Sequence, residues 1–506
     1  MAAPPTYSSV VGFFYNLNLI VGSGFLGIPF VLSRSGLLAG VLTLLVVAFF
    51  SGLTARWILE TMYRGQLVLR RSDDHNISSD PQSNDGQLPP KLEVGQLCGM
   101  FAGTWARFAY DISNFVYASL ALWAYGTLAG SAWATNIPFD TSTLGQCTDA
   151  DFRGHQHPAT NECWNSYALC VLLFGFVVVP LSCVEINEQK IVQLVLGVVR
   201  LLMIVSMSIY ALVGEIEHPD CVQTAAPTTK TTVGTDHTNH THNATVNECE
   251  DVWLSFHLRG WILVFPIITY ALFLHLGIPT LTHPIKDKKN VGTMMTSLFL
   301  ACTFLYLLIG ISVAVRYKEN VVETCTLTWA PFTKSGSFIK RFYAYLVVLY
   351  PSLDICSAYP LMVTILSNIF ITDYELLTKN VSTKSMRVVS RFLIATTPLI
   401  GSLFISNLVQ VTTYTGVFGC ISCYLFPALI QYRSRRFIQN LGHINESEIP
   451  RSSDEEDTLL FRKDTRPVGD KDTPYTTIFS GDVMVFVVAV FGVWATGTTI
   501  ASWVDK

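Results

Sequence analysis

The sequence predicts an all-α, polytopic membrane protein of about eleven transmembrane helices, two five-helix halves related as an inverted repeat with one further helix appended. Three observations lead there. Half of the 506 residues are hydrophobic and 14% are charged, with a mean hydropathy of +0.40, whereas a soluble domain carries about 25% charged residues. The apolar residues gather in runs of roughly 20 or more, the length at which a helix crosses the hydrocarbon core with its backbone polar groups satisfied internally. Within the first and sixth runs the same tetrapeptide appears, as Leu26-Gly27-Ile28-Pro29 and Leu276-Gly277-Ile278-Pro279.

The runs fall at about 9–33, 37–61, 105–134, 166–184 and 190–213, then at 259–282, 292–315, 343–369, 389–408 and 411–432, and finally at 478–502. They make one transmembrane domain over 1–502, with helices 1–5 in 9–213, helices 6–10 in 259–432 and helix 11 in 478–502. Three polar stretches interrupt it. Residues 65–92 are rich in Ser, Asp and Pro and are expected to be disordered. Within the loop 214–258, residues 221–248 are rich in Thr, His and Asn, and 437–475 contain the acidic run Asp454-Glu455-Glu456-Asp457.

The opening MAAPPTYSSV has no Lys or Arg, so it lacks the basic region of a cleaved signal peptide, and the first helix is expected to stay in the mature protein. The loops on the N-terminal side hold about twice the Lys plus Arg of the opposite loops, which places the N-terminus in the cytosol and, with an odd number of spans, the C-terminus outside. The net charge of −4 gives no reason to expect a nucleic-acid partner.

Two further features fit that orientation. The sequons beginning at Asn239 and Asn243 lie in the outward loop 214–258, where glycosylation takes place. Cys147, Cys163, Cys221, Cys249 and Cys325 also fall in outward loops, where disulfides form; five cysteines allow at most two bridges, and the sequence leaves the pairing open.

Gly and Pro at one place in each half predict two broken helices, and in inverted-repeat transporters the substrate sits where such helices unwind. Gly22, Ser23 and Gly24 can leave helical geometry without a clash, freeing N–H groups to hold a carboxylate at the positive end of the half-helix that follows. Helix packing through small residues is the competing use of the same glycines.

The stretch from Asn18 to Pro29 resembles the first helix of the amino acid/auxin permease family, which includes sodium-coupled neutral amino acid transporters. His275-Leu276-Gly277-Ile278-Pro279 with the following Lys286-Asp287-Lys288-Lys289 looks like that family's sixth helix, and Gly416 to Leu429 like its tenth. The likeness is closest to the transmembrane protein 104 branch and covers about residues 7–502 outside the polar loops. It implies the fold of the bacterial leucine transporter and an amino acid substrate held by Gly22, Ser23, Gly24, His275 and Gly277. It also implies a coupling ion, Na+ or H+, and no other cofactor. Asn18 matches the position of a cation ligand, and an amide oxygen suits a small hard cation.

Span eight departs from the family. Counting back from Pro360, Leu353 stands where sodium-coupled relatives carry a Thr hydroxyl, between Ser352 and Asp354. A carboxylate inside a span costs about 3 kcal/mol on insertion scales and is tolerated where it serves an ion path or finds a partner. Ser352 and Asp354 therefore join Asn18 as ion-coupling candidates. The spacing of Glu455, Leu459 and Leu460 is that of an acidic dileucine signal read by cytosolic adaptor proteins, which directs attention to endolysosomal membranes rather than the cell surface.

The functional expectation is a secondary transporter of amino acids embedded in the lipid bilayer; the alternative is a non-transporting sensor or scaffold of the same fold. No acidic ring or filter-like loop suggests a channel. No HExxH or GxSxG motif suggests an intramembrane enzyme, so no catalytic or metal-ligating residue is assigned.

Overall fold

The computed structural model describes residues 7–76, 91–139, 141, 143–148, 151, 160–184, 190–217, 256–333, 337–378, 384–447 and 473–504. Fifteen α-helices account for most of them, and an isolated β-bridge pairs Tyr7 with Ile285. The sequons at Asn239 and Asn243, Cys221, Cys249, and the Glu455, Leu459 and Leu460 signal lie outside the described residues.

The first span is broken as the glycines predict. Helix α1 (Ser9–Val21) starts at Ser8, whose hydroxyl accepts from the Val11 N–H, and stops at Gly22, which has a φ of +36°. A 3₁₀ turn over Gly24–Gly27 follows, and α2 (Ile28–Ser35) then begins with Pro29 in its first turn, where the missing N–H costs nothing. The two pieces are bent by 42°. Helix α3 (Leu37–Asn76) runs some way into the stretch expected to be a polar loop. A short helix, α4 (Val94–Ala102), then packs on α5 (Thr104–Asn136), and α6 (Asn161–Cys183) and α7 (Lys190–Glu217) complete the first half.

The second half repeats the pattern. Helix α8 (Leu258–Ala271) ends before a 3₁₀ turn at His275–Gly277, and α9 (Ile278–Thr282) begins with Pro279 in its first turn. Then come α10 (Val291–Tyr317), α11 (Phe338–Thr378), α12 (Lys384–Ser402), and α13 (Leu408–Cys420), which passes through a π-helical turn over Ile421–Leu425 into α14 (Phe426–Ser447). Helix α15 (Asp482–Val504) is the appended one.

Eight helices among the described residues are long and apolar enough to cross a membrane, nine with the bent first pair counted as one span. Helices α5 and α12 stand in the third and ninth of the expected positions and are too polar to meet that measure. Helix α5 turns Asp111, Ser113, Asn114, Thr127 and Ser131 inward, as an interior helix does. Helix α7 shows the opposite face: Ile191, Leu194, Val198, Leu202 and Ile209 are exposed at helical spacing, an apolar stripe that only lipid would cover in a monomer.

One polar tie and one covalent tie hold elements together away from the centre of the bundle. Glu60 of α3 accepts from Arg64 at 3.0 Å, from Gln431 of α14 at 2.8 Å and from Ser480, just before α15, at 2.5 Å. Every charge in this buried group is answered, as burial requires. Cys147 and Cys163 are joined in a disulfide that links the segment after α5 to the start of α6; Cys325 is a buried free thiol.

Candidate functional site

The two breaks lie against one another. A Cβ on Gly24 would come within 2.5 Å of the Ala271 Cα at the end of α8, and one on Gly277 within 2.4 Å of Leu19 Cδ2 on α1. These two glycines thus let the broken helices approach closely. Breaking a helix strands backbone carbonyls, and Tyr306 of α10 meets one from each half: its hydroxyl lies 3.1 Å from the Ile20 carbonyl and 2.7 Å from that of Ala271. Ser23 and Tyr270 exchange a hydrogen bond of 2.7 Å across the same junction.

Gly22 is the position that answers to backbone strain. Its positive φ belongs to the region that glycine tolerates, and a Cβ there would meet the Tyr125 hydroxyl of α5 at 2.6 Å. Tyr117, Tyr125, Tyr270, Tyr306 and Tyr359, all buried, surround the junction. Tyr117 lies tilted against Phe273 with ring centroids 3.9 Å apart, and Tyr125 lies near Tyr359 at 6.3 Å. Hydroxyls and backbone N–H groups next to aromatic faces can hold a carboxylate at one end of a ligand and an apolar side chain at the other.

His275 is placed differently from the glycines. Its Nε2 contacts the Thr54 hydroxyl of α3 at 2.8 Å and Cys423 Sγ of the π-helical turn at 3.5 Å, while its Nδ1 has no hydrogen-bond partner. It ties the second break to α3 and to the π-helical turn.

The ion-coupling candidates meet a residue that the sequence reading passed over. Arg200 of α7 is wholly buried and donates from Nε to Asp354 Oδ1 at 2.5 Å. Its other nitrogens donate to the Leu17 carbonyl at 3.3 Å, to Asn18 Oδ1 at 3.2 Å and to Ser357 Oγ at 3.3 Å. Asn18 gives its own N–H groups to the Gln193 carbonyl and Oε1, at 2.7 and 2.8 Å, and the Tyr350 hydroxyl donates to Asp354 Oδ1 at 3.0 Å. Asn18 and Asp354 are therefore brought together, through Arg200.

Ser352 is not part of this group: its buried hydroxyl has no hydrogen-bond partner. Leu353 is 61% exposed and points away from α1. The hydroxyl of α11 that meets Arg200 is that of Ser357, one turn beyond Asp354. Counting from Pro360 leads to Leu353 and its neighbours, whereas the hydroxyl that meets Arg200 lies one turn further along α11. Arg200 carried a signal of its own, a lone Arg in the middle of the fifth apolar run, a position at which an ionisable residue marks a partner or a function.

The profile of the family described as transmembrane amino acid transporter protein matches residues 6–437. The chain belongs to the transmembrane amino acid transporter family. Within it, the chain is 22% identical to transmembrane protein 104 of Gallus gallus over 487 residues, 86% of this chain and 88% of that one. It is 21% identical to the Homo sapiens protein of the same name over 484 residues, with the same two shares covered. A Caenorhabditis elegans homolog matches at 23% over 385 residues, 72% of this chain and 68% of its own. Among solved structures, MhsT in complex with L-phenylalanine superposes with a TM-score of 0.56 at 11% identity, covering 99% of this chain and 100% of that chain. A substrate-bound, outward-open Na+-coupled sialic acid symporter gives a TM-score of 0.50 at 11% identity, covering 97% and 90%. The fold is thus that of this transporter class, as expected, and the protein is a multi-pass membrane protein.

Proposed function

We propose that the chain is a secondary transporter of amino acids, not a catalyst, working by alternating access, with its substrate at the junction of the two broken helices. The observation that carries this is the junction itself: two unwound segments, one from each half, share Tyr306 as a common hydrogen-bond donor and are ringed by tyrosines. Gly22, with its strained backbone against the Tyr125 hydroxyl, is where a substrate carboxylate would be held; Ser23 closes the junction through Tyr270.

For coupling, a proton taken up by Asp354 is the reading we favour over sodium. The charged and titratable groups that face Asp354 are Arg200 on α7, Tyr350 and Cys356 on its own helix, and Tyr125 on α5. A proton on Asp354 would loosen the Arg200 pair and with it the tie to α1 at Leu17 and Asn18. Uptake of a labelled amino acid panel into proteoliposomes, under an imposed pH or sodium gradient, tests both parts. Asp354→Asn should keep exchange and lose accumulation driven by pH. Substrate binding with no flux under any gradient would favour the sensor alternative.

The cytosolic N-terminus, the outer loop glycosylated at Asn239 and Asn243, and sorting to endolysosomal membranes by adaptors bound at Glu455, Leu459 and Leu460 belong to the same proposal. Leu459→Ala with Leu460→Ala should shift the protein toward the cell surface, and unchanged distribution would remove the reason for choosing the lysosome.

A further inference from the structure

Four oxygens of four chemical kinds converge between α1 and α11: the Leu17 carbonyl, the Asn18 amide, the Asp354 carboxylate and the Ser357 hydroxyl. One negative charge with several neutral oxygens is the ligand set that a small hard cation takes. In this chain all four oxygens point at one group, the guanidinium of Arg200, with nitrogen to oxygen distances of 2.5 to 3.3 Å. The guanidinium enters from a third helix, α7, and its planar fork lets separate nitrogens serve the two sides at once.

We propose that Arg200 is a covalently attached cation that takes the place of a sodium ion between the first and eighth spans, so that this protein neither needs nor binds sodium there. A dissolved ion at this place would join α1 to α11 only while bound. A guanidinium on α7 joins them at any sodium concentration, because its charge cannot be lost by deprotonation in a protein. It also adds α7 to the joined pair, and Gln193, two turns earlier on the same helix, strengthens that bond by holding Asn18 and the Ser357 carbonyl, the latter at 2.9 Å. The position is closed to competition: Arg200 has no solvent exposure and Asp354 has 1%. Removing the guanidinium while keeping the oxygens should leave a vacant, negatively charged cage of the right chemistry, and sodium should fill it.

The sodium-binding part stands apart from the transport reading, since it is measured on purified protein with no substrate. Binding of radioactive sodium and the melting temperature of the full chain in detergent are followed in sodium chloride, potassium chloride and N-methyl-D-glucamine chloride at equal ionic strength. The wild type should bind no sodium above background and melt at one temperature in all three salts. Arg200→Ala should bind one sodium per chain and melt several degrees higher in sodium than in the other salts. Arg200→Ala combined with Asp354→Asn should lose both effects. Saturable sodium binding by the wild type that Asn18→Ala abolishes would overturn the proposal, whether or not the Arg200 variants fold, as would an Arg200→Ala protein that folds and is indifferent to sodium. Arg200→Lys, which keeps a cation at the site, should remain indifferent to sodium; a sodium response in that variant equal to that of Arg200→Ala would also count against it. If uptake is found, it should proceed at the same rate with and without sodium in the wild type, and become sodium-dependent in Arg200→Ala. Failure to find any substrate leaves the binding result intact and speaks only against the transport reading.

Discussion

The two breaks carry the same tetrapeptide and sit in unlike surroundings. The first is held from the side by ionic chemistry: the fifth helix leans Arg200 on the carbonyl and amide oxygens just before the break, and the eighth supplies Asp354. The second is held by neutral groups: its counterpart in the tenth helix, Cys423, touches His275, and Thr54 of α3 completes the contact. Symmetry of backbone does not bring symmetry of electrostatics. Removing one partner of a buried charge pair strands the other charge, whereas cutting a neutral hydrogen bond costs far less, so the two breaks should differ sharply in what each tie is worth.

The comparison is tested most severely by cutting each tie. Asp354→Ala leaves a buried guanidinium without its partner and should cost about 3 to 5 kcal/mol of stability, visible as a large fall in melting temperature. The matching cut at the second break, Thr54→Val, should cost about 1 kcal/mol; equal losses at the two sites would erase the distinction. Gly22→Val comes next: a branched side chain at positive φ adds strain of about 1 to 3 kcal/mol and intrudes on the Tyr125 hydroxyl, so substrate binding should disappear while the protein still inserts in the membrane. Retained affinity in that variant would show that the glycines of the first break only pack helices. Gly277→Ala, whose new methyl meets the flexible side-chain ends of Leu19, Ile365 and Leu281 rather than backbone, should lower affinity far less. Tyr306→Phe removes a donor shared by both breaks and should cost about 1 to 3 kcal/mol, measured by thermal melting, with no change in how the protein responds to sodium or pH. A change in either response would mean that the two breaks are coupled through Tyr306 rather than independently braced.

Much of the architecture was legible because hydrophobic run length and the Gly and Pro positions act locally. The glycine run at 22–24 and the prolines at 29 and 279 end and restart helices wherever those helices pack, so both breaks appear where the sequence places them. The site was legible only in part, because its partners are set by tertiary contact. That Asn18 and Asp354 face one another follows from how α1, α7 and α11 pack, which no single run reveals. Ser357 rather than Ser352 meets Arg200 because helix rotation within the bundle decides it. Tyr125, Tyr270 and Tyr306 look like ordinary core aromatics until the breaks are seen beside them.

The bridge between Tyr7 and Ile285 bears on how the molecule could open. The Tyr7 N–H donates to the Pro284 carbonyl at 3.1 Å, the Lys286 N–H returns a bond of 3.1 Å to the Tyr7 carbonyl, and the Tyr7 hydroxyl reaches the Leu281 carbonyl at 2.5 Å. The segment that leads into the first broken helix is thus zipped to the segment that leaves the second. A path to the junction from this end cannot appear by side-chain rotation alone. It requires main-chain bonds to part, and a cleavage tag fused close to Tyr7 would act as a wedge in that zip.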